Sequence, residues 1–476
     1  MQMRVGGRAV DAAGGGRISV LNPATGAAVD DVPAGTAEDI DHAFDAATGA
    51  GDAWGRMDPR QRGKILGEAA RLIRGQLDDL ARSLTEEQGK PLHEARNEVQ
   101  GCANVLEYYH SISGSLRGES MPLASYGYAL VRKEPVGVCG AIIPWNMPVL
   151  IAAWKMGPAL CAGNTMILKP ASSTPVTTLR IAALMESAGL PPGVLNVVTG
   201  SGTAAGAALS CHPDLGHLSF TGDTATGMEV AARAGRHATP LTLELGGSDA
   251  MIVCADADLG AAAAAAAANR FYNCGQTCTA VKRLIVDDAV YVPFMELLKG
   301  RVAAIVTGPG TEKGVTMGPL NSPEGRERIA SAVRETEACG AGRIVMGGDA
   351  PRGAACADGW FFEPTLMADV APEAPVWCEE IFGPVLPVMR TDSFDDAVTI
   401  ANASEYGLGA SVWTRDLDTA FQAAESLEAG VVWVNQHLRL PPDVPFGGVK
   451  KSGVGRENGA DALEQYTRTK SILIRR

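Results

Sequence analysis

The apolar positions of this chain change period along its length. Between residues 36 and 112 they recur at helical spacing, with charged residues between them. Thr36 stands as a helix N-cap with Asp39 as its box-like partner, and two further amphipathic helical stretches follow, ending near His110. Short apolar runs then alternate with helical ones: VGVCGAII, NTMILKP, VTTLRIAALMESAG, GVLNVVTG, a helix near 203–210, and LGHLSFTG. The alternation resumes after residue 246 with AMIVC, RLIVD, RIVMGG, PVLPVMR, LGASVWT and GVVWVN. Strands that are apolar throughout need cover on both faces, so two α/β domains with parallel sheets are expected in series. The alanine run at 261–268, with acids before it and Arg270 after it, predicts a close-packed helix from about Leu259 to Phe271. The tail YTRTKSILIRR reads as a strand without a local partner, pairing with another chain or with a distant hairpin such as YGYALVRKEP.

Composition narrows the class. The 476 residues are 46% hydrophobic and 20% charged, enough apolar material for large cores and too much for a disordered chain. A net charge of −13 argues against nucleic acid as a partner. The most apolar stretch, Ala141 to Trp154, is broken by Pro144, Asn146 and Pro148, so no membrane span and no membrane partner are expected. Ten scattered cysteines without framework spacing, and no signal-like start, predict reduced thiols and a cytoplasmic protein. Seven histidines without a ligand-like cluster predict no metal site.

Four features could carry chemistry. VTGSGTAAG and SFTGDTATG each place glycines (Gly200, Gly202 and Gly206; Gly222 and Gly227) between a strand and a helix. Such turns are tight connections or phosphate cradles, and two in one sheet favour a dinucleotide at its carboxyl edge. Cys278 sits in the polar, glycine-bearing loop NCGQTCTA, where it is a nucleophile or an inert small hydrophobe; Cys274 lies four residues earlier. Glu244 is a carboxylate between Leu243 and Leu245 on an apolar strand. If it is buried, its raised pKa suits a general base; if the strand is an edge, it faces water. Asn146 between two prolines is a rigid amide, fit to stabilise an oxyanion or to cap a loop.

In order along the chain, PWNMP (144–148), KPAS (169–172), FTGD (220–223), LELGG (243–247), GQTC (275–278), EEIFGP (379–384) and PFGG (445–448) resemble the aldehyde dehydrogenase superfamily, of the type that does not acylate CoA. The likeness runs from LNPATG at 21–26 to the terminal strand. It implies a Rossmann-like parallel-sheet cofactor domain (1–112 and 136–245), a second α/β catalytic domain (246–452) and a β oligomerisation arm (113–135 and 463–476). It implies oxidation of an aldehyde to the acid through a Cys278 thioester with NAD or NADP, in a homodimer or homotetramer. Asn146 and the Cys278 backbone N–H would form the oxyanion hole, and Glu244 would activate water. Lys155 and Glu457 would assist proton transfer. Lys169 and Glu380 would hold cofactor ribose hydroxyls, Phe382 would pack near the nicotinamide ribose, and Gly202 and Gly222 would lie under adenosine and pyrophosphate. Trp145, Ser172, Phe220, Asp223 and Leu245 complete the implied cofactor set.

Departures from the pattern refine this. The family usually has Ser where this chain has Asp223, whose carboxylate must turn away from a pyrophosphate or cap a helix. Ser172 replaces the Glu of strongly NAD-preferring members, leaving NADP open. Glu244 disfavours a CoA acceptor. Succinate-semialdehyde dehydrogenases and non-phosphorylating glyceraldehyde-3-phosphate dehydrogenases, which the chain resembles in part, carry anion-anchoring Arg where this chain has Trp154, Gly101 and Thr277. The expected pocket is therefore apolar: Met147, Leu150, Ile151, Trp154 and Phe446, with Thr277 and Thr279 beside the cysteine and His437 and Arg439 at the rim. Gly101 would leave space at the tunnel wall. A neutral aliphatic or aromatic aldehyde is expected; the alternatives are an anionic semialdehyde or a catalytically silent structural homologue.

Overall fold

The computed structural model describes residues 1–475. Four helices, Ala37–Arg56, Pro59–Gly75, Leu77–Gln88 and Leu92–Ser111, fill the region of helical period, so three rather than two follow the first. The extra break falls at Gln76, where one helix ends and the next begins within a single residue. Asp39 is buried and accepts from the Thr36 backbone N–H at 2.8 Å.

An eight-stranded sheet follows. Its parallel core runs in the spatial order Leu195–Val197, Thr165–Lys169, Val138–Ile142, His217–Thr221, Leu241–Glu244. The strand Thr165–Lys169 shows why these runs are apolar throughout. Met166 and Leu168 enter the core under the helices of one face, while Ile167 enters the core on the other. Antiparallel strands close both edges. They are the hairpin Met3–Val5/Arg8–Val10, too short to show a period in the sequence, and Gly453–Val454.

A second, seven-stranded sheet has the order Arg343–Met346, Thr365–Ala368, Val385–Thr391, Val281–Asp287, Asp249–Val253, Gly409–Trp413, Val431–Val434. All its pairings are parallel except the first. Its helix Leu259–Phe271 has the expected limits and is capped by Asp258, which accepts from the Ala261 N–H at 3.0 Å. The glycine turn at 202–206 is a single π-helical turn leading into Ala207–Ser210, rather than one regular helix. The terminal strand Thr467–Ile474 finds its partner within the chain, pairing antiparallel with Tyr128–Pro135, which also carries Glu119–Pro122. No helix among the described residues is long and apolar enough to cross a membrane.

Candidate active site

The first sheet reverses its winding between Val138–Ile142 and His217–Thr221. Chain connections leave these two neighbours in opposite directions, opening a crevice at their carboxyl ends. Asn146 lies in the loop after the first strand, and Gly222 follows the second. Glu244 ends the adjacent strand, directly beside Thr221 in the register.

The sulfur is brought to this crevice by a strained loop. Asn273, Cys274 and Gly275 all have positive φ (50°, 56° and 71°). Asn273 holds the conformation, its amide donating to the carbonyls of Asn146 at 2.9 Å and Gln276 at 3.1 Å. Gly275 is required twice over: by its φ, and because a Cβ there would lie 2.2 Å from the Gly383 carbonyl oxygen. Cys274 is buried and unbridged, packed in the second core.

Cys278 stands where two cavities meet. One, of about 390 Å³, is lined by Asn146, Glu244 and Cys278 together with apolar side chains. The other, of about 460 Å³, runs from Cys278 and Asn146 along Gly222, Asp223, Leu245 and Gly246 to Glu380 and Phe382. Crowding by protein pushes the Cys278 thiol up to about 12, chiefly by desolvation and opposed by Lys282. Asn146 is buried, and its side-chain amide donates to the Gln276 carbonyl at 2.9 Å. Glu244 is 2% exposed, and neither carboxylate oxygen has a hydrogen-bond partner among the described residues. Burial, then the nearby Glu457, holds its proton well above the usual carboxylate range. A thiol, an amide donor and an unpartnered carboxyl on one cavity can capture a carbonyl, stabilise the resulting oxyanion and activate water.

Lys155 and Glu457 do not reach that cavity. They form a buried ion pair at 2.7 Å, and Ser219 donates to the same Glu457 oxygen at 2.9 Å. Both charges act on Glu244 from behind, Glu457 raising its proton affinity and Lys155 opposing it.

The longer cavity fits a dinucleotide. The rings of Trp145 and Phe382 pack edge to face on its wall, their centroids 5.5 Å apart, offering flat apolar surface. The helix Thr224–Gly235 starts at its rim, and Arg328 lines it without an ion-pair partner among the described residues. Asp223 takes the cap role, accepting from the Thr226 N–H at 2.9 Å and its hydroxyl at 3.2 Å, so its charge serves its own helix. Lys169, Ser172, Gly202 and Phe220 lie beyond this cavity, around the carboxyl ends of the neighbouring strands. Burial lowers Lys169 to about 8, and its amine donates to the Pro170 carbonyl. The Ser172 hydroxyl bonds the Gly200 carbonyl at 3.0 Å, and Gly202 faces open space. Phe220 is buried beneath Gly222. Glu380 does line the cavity, but one oxygen is already held by Lys282 at 2.7 Å.

The shorter cavity is lined by Met147, Leu150, Ile151, Trp154 and Phe446, with Thr277 and Thr279 beside the sulfur. The Trp154 and Phe446 rings lie 5.1 Å apart. Two expectations are corrected here. Gly101 is not on the wall: a Cβ built there would sit 3.1 Å from Leu150 Cδ1, so its small size makes room for Leu150. His437 is not at the rim. It is buried, held by Ser411 Oγ at 2.9 Å and the Thr279 carbonyl at 2.8 Å, and desolvation lowers it to about 4, so it is neutral. Arg439 is exposed and is the only Lys or Arg on this lining among the described residues.

Several neighbours were not foreseen. Tyr272 and Trp433 complete the aromatic wall. Behind the site, buried Lys90 donates to Glu98 at 2.5 Å and to the Asn146 carbonyl at 2.7 Å. Glu98 accepts from the N–H groups of Val149 and Leu150, and Glu94 accepts from the N–H of Asn273. Glu94 and Glu98 share a helix face with Ala95, Val99 and Cys102, and acids at i and i+4 on an apolar face were the available signal. The Asn-Cys-Gly run was the signal for the left-handed loop.

The family model described as "Aldehyde dehydrogenase family" matches residues 10–472. The chain is 44% identical to a phenylacetaldehyde dehydrogenase of Pseudomonas fluorescens, over 99% of this chain and 95% of that protein. An NADP-dependent enzyme of E. coli superposes with a TM-score of 0.97 at 39% identity, covering 100% of this chain and 98% of that chain. PnpE from Pseudomonas sp. WBC-3 gives 0.98 at 38% identity, covering 100% and 97%, and has also been solved in complex with nicotinamide adenine dinucleotide.

Proposed function

Because the chain belongs to the aldehyde dehydrogenase family and is an NAD(P)-dependent enzyme that oxidises an aldehyde to its carboxylic acid, we propose that Cys278, Asn146 and Glu244 carry the reaction and that the aldehyde is neutral and aromatic. The observation that carries this reading is the meeting of two cavities at Cys278, with the unpartnered Glu244 facing the shorter one.

The deprotonated sulfur of Cys278 forms a bond to the aldehyde carbon, and the carbonyl electron pair moves to oxygen. Asn146 Nδ2 and the Cys278 backbone N–H donate to that oxyanion; the loop fixed by Asn273 keeps both donors in place before the reaction. When bound, NAD(P)+ would supply the hydride acceptor that the tetrahedral carbon on Cys278 needs to become an acyl group. Glu244 as carboxylate then takes a proton from water, whose oxygen attacks the acyl carbon. The carbon–sulfur bond breaks, Cys278 is restored as thiolate, and the acid leaves. Glu457 and Lys155 act from behind by setting the proton affinity of Glu244. Trp145, Gly222, Leu245, Glu380 and Phe382, which line the longer cavity, would hold the cofactor. Lys169, Ser172, Gly202 and Phe220, around the carboxyl ends of the neighbouring strands, would complete its site.

The substrate class follows from the lining. A neutral His437 and an exposed Arg439 leave no buried cation to pair with a carboxylate or phosphate, whereas Trp154, Phe446, Tyr272 and Trp433 offer flat apolar faces. The similarity to a phenylacetaldehyde dehydrogenase supports an arylacetaldehyde. Reduced-cofactor absorbance with phenylacetaldehyde and succinate semialdehyde, run with NAD and with NADP, tests this. A kcat/KM at least about 100-fold higher for the aromatic aldehyde is expected, since losing an apolar contact surface of this size costs several kcal/mol. Preference for the semialdehyde would overturn it.

The arm of Glu119–Pro122, Tyr128–Pro135 and Thr467–Ile474 exposes Met121, Tyr126 and Leu473, which supports a homodimer or homotetramer. Ten unbridged cysteines fit a reducing, cytoplasmic setting.

A further inference from the structure

Lys282 is the second residue of the strand Val281–Asp287, between Val281 and Arg283, and a run of apolar residues follows them. Its side chain is 1% exposed. A buried ammonium has three protons to place, and this one meets three acceptors: the Gly247 carbonyl at 2.6 Å, the Cys278 carbonyl at 2.7 Å and Glu380 Oε1 at 2.7 Å. Each acceptor belongs to a different segment. Gly247 follows the strand bearing Glu244, Cys278 is in the sulfur loop, and Glu380 is in the loop that carries Phe382. The Phe382 ring centroid also lies 5.4 Å from Nζ. Gly246 fits between these groups only because it lacks a side chain: a Cβ there would be 2.3 Å from Glu380 Oε2.

We propose that Lys282 is a positioning residue whose single ammonium clamps the sulfur loop, the segment after Glu244 and the Glu380 loop, so that sulfur reactivity and the shape of the cofactor cleft are set by one side chain. The titratable groups facing Cys278 are Glu244, Asp249, Glu380 and Lys282. The three carboxyl groups favour the neutral thiol, and Lys282 is the cation that opposes them. Asp249 accepts from the Gly409 N–H and is also faced by Lys282 and Arg283. Glu380 partly neutralises Lys282, so removing either partner should move the sulfur in opposite directions.

The proposal rests on Cys278 as the reacting sulfur, and the two can fail separately. Cys278→Ser reports on the nucleophile through turnover, whereas alkylation reads the sulfur without turnover. The test is site-resolved alkylation of Cys278 by iodoacetamide in the full-length enzyme without cofactor, followed by peptide mass spectrometry across neutral to alkaline pH. NAD affinity is measured in parallel by fluorescence titration. Lys282→Met is expected to slow Cys278 alkylation about tenfold below its titration midpoint, to move that midpoint upward and to weaken NAD binding about tenfold. Glu380→Gln is expected to speed alkylation about tenfold at the same pH, because the cation is then uncompensated. A folded Lys282→Met protein with the wild-type alkylation profile, or with wild-type NAD affinity, overturns the proposal. If Lys282→Met does not fold, Glu380→Gln decides: an unchanged or slower alkylation rate overturns it.

Discussion

A carboxyl group at the end of an apolar strand, with no donor at either oxygen among the described residues, holds its proton above the usual carboxylate range, and Glu244 is in that position. Water activation needs the carboxylate, so turnover rises as pH climbs through the raised pKa. Cys278, pushed in the same direction, adds to the rise. Glu244→Gln should lower kcat by about 100-fold to 10,000-fold and remove the carboxyl contribution to the pH profile, measured by steady-state assay. The same burial has a stability consequence of opposite sign. The folded state binds a proton that the unfolded chain has already released, so stability falls as pH rises from the ordinary carboxylate range through the raised value. The Glu244→Gln protein should therefore melt above the wild type at alkaline pH and converge with it in acid, by calorimetry. Asn146→Ala should cost about 100-fold to 1,000-fold in kcat, the usual loss for one oxyanion donor. Glu244 was legible because a lone acid interrupts an apolar run. Lys282 was not, because a Lys beside Arg283 at a strand start looks like ordinary surface charge until the loops around it are in place.

Among the elements, the helix Leu92–Ser111 does the most to support the site. Its Glu98 caps the helix Pro148–Ala162 that follows Asn146, and its Glu94 holds the sulfur loop, with burial raising Glu94 to about 8. Glu98→Ala would strand the Lys90 ammonium and two N–H groups in the interior, a loss of about 3–5 kcal/mol measured by denaturant unfolding. Glu98→Gln keeps an acceptor for those N–H groups and should cost less. The main parallel strands and the alanine-run helix were readable because each repeats one period over several residues. The hairpins Met3–Val5/Arg8–Val10 and Arg17–Leu21/Ala28–Pro33 were not legible, since strands of three to six residues are too short to establish a period. How elements cap one another across 50 to 180 positions of sequence, as Glu98 and Glu94 do, is a tertiary fact with no local signature.

At the scale of the whole molecule, two sheets of mainly parallel strands supply the wall and the floor of one crevice. The strand Gly453–Val454 returns from beyond the second sheet to complete the first. That crossing and the N-terminal hairpins were hidden in the sequence, while the ordered motifs already indicated which loops would converge. If the arm joins protomers, deleting residues 467–476 should remove the partner of Tyr128–Pro135 and shift the protein to a smaller or aggregated species in light scattering after gel filtration. The account as a whole stands on covalent capture at Cys278 and release by Glu244. Its most direct test mixes Glu244→Gln enzyme with phenylacetaldehyde and NAD, quenches in acid and maps the product by peptide mass spectrometry. One phenylacetyl group on the peptide containing Cys278, formed together with about one equivalent of reduced cofactor per active site, is the expected result. A burst of reduced cofactor with Cys278 unmodified, or with the acyl group on another residue, would contradict it.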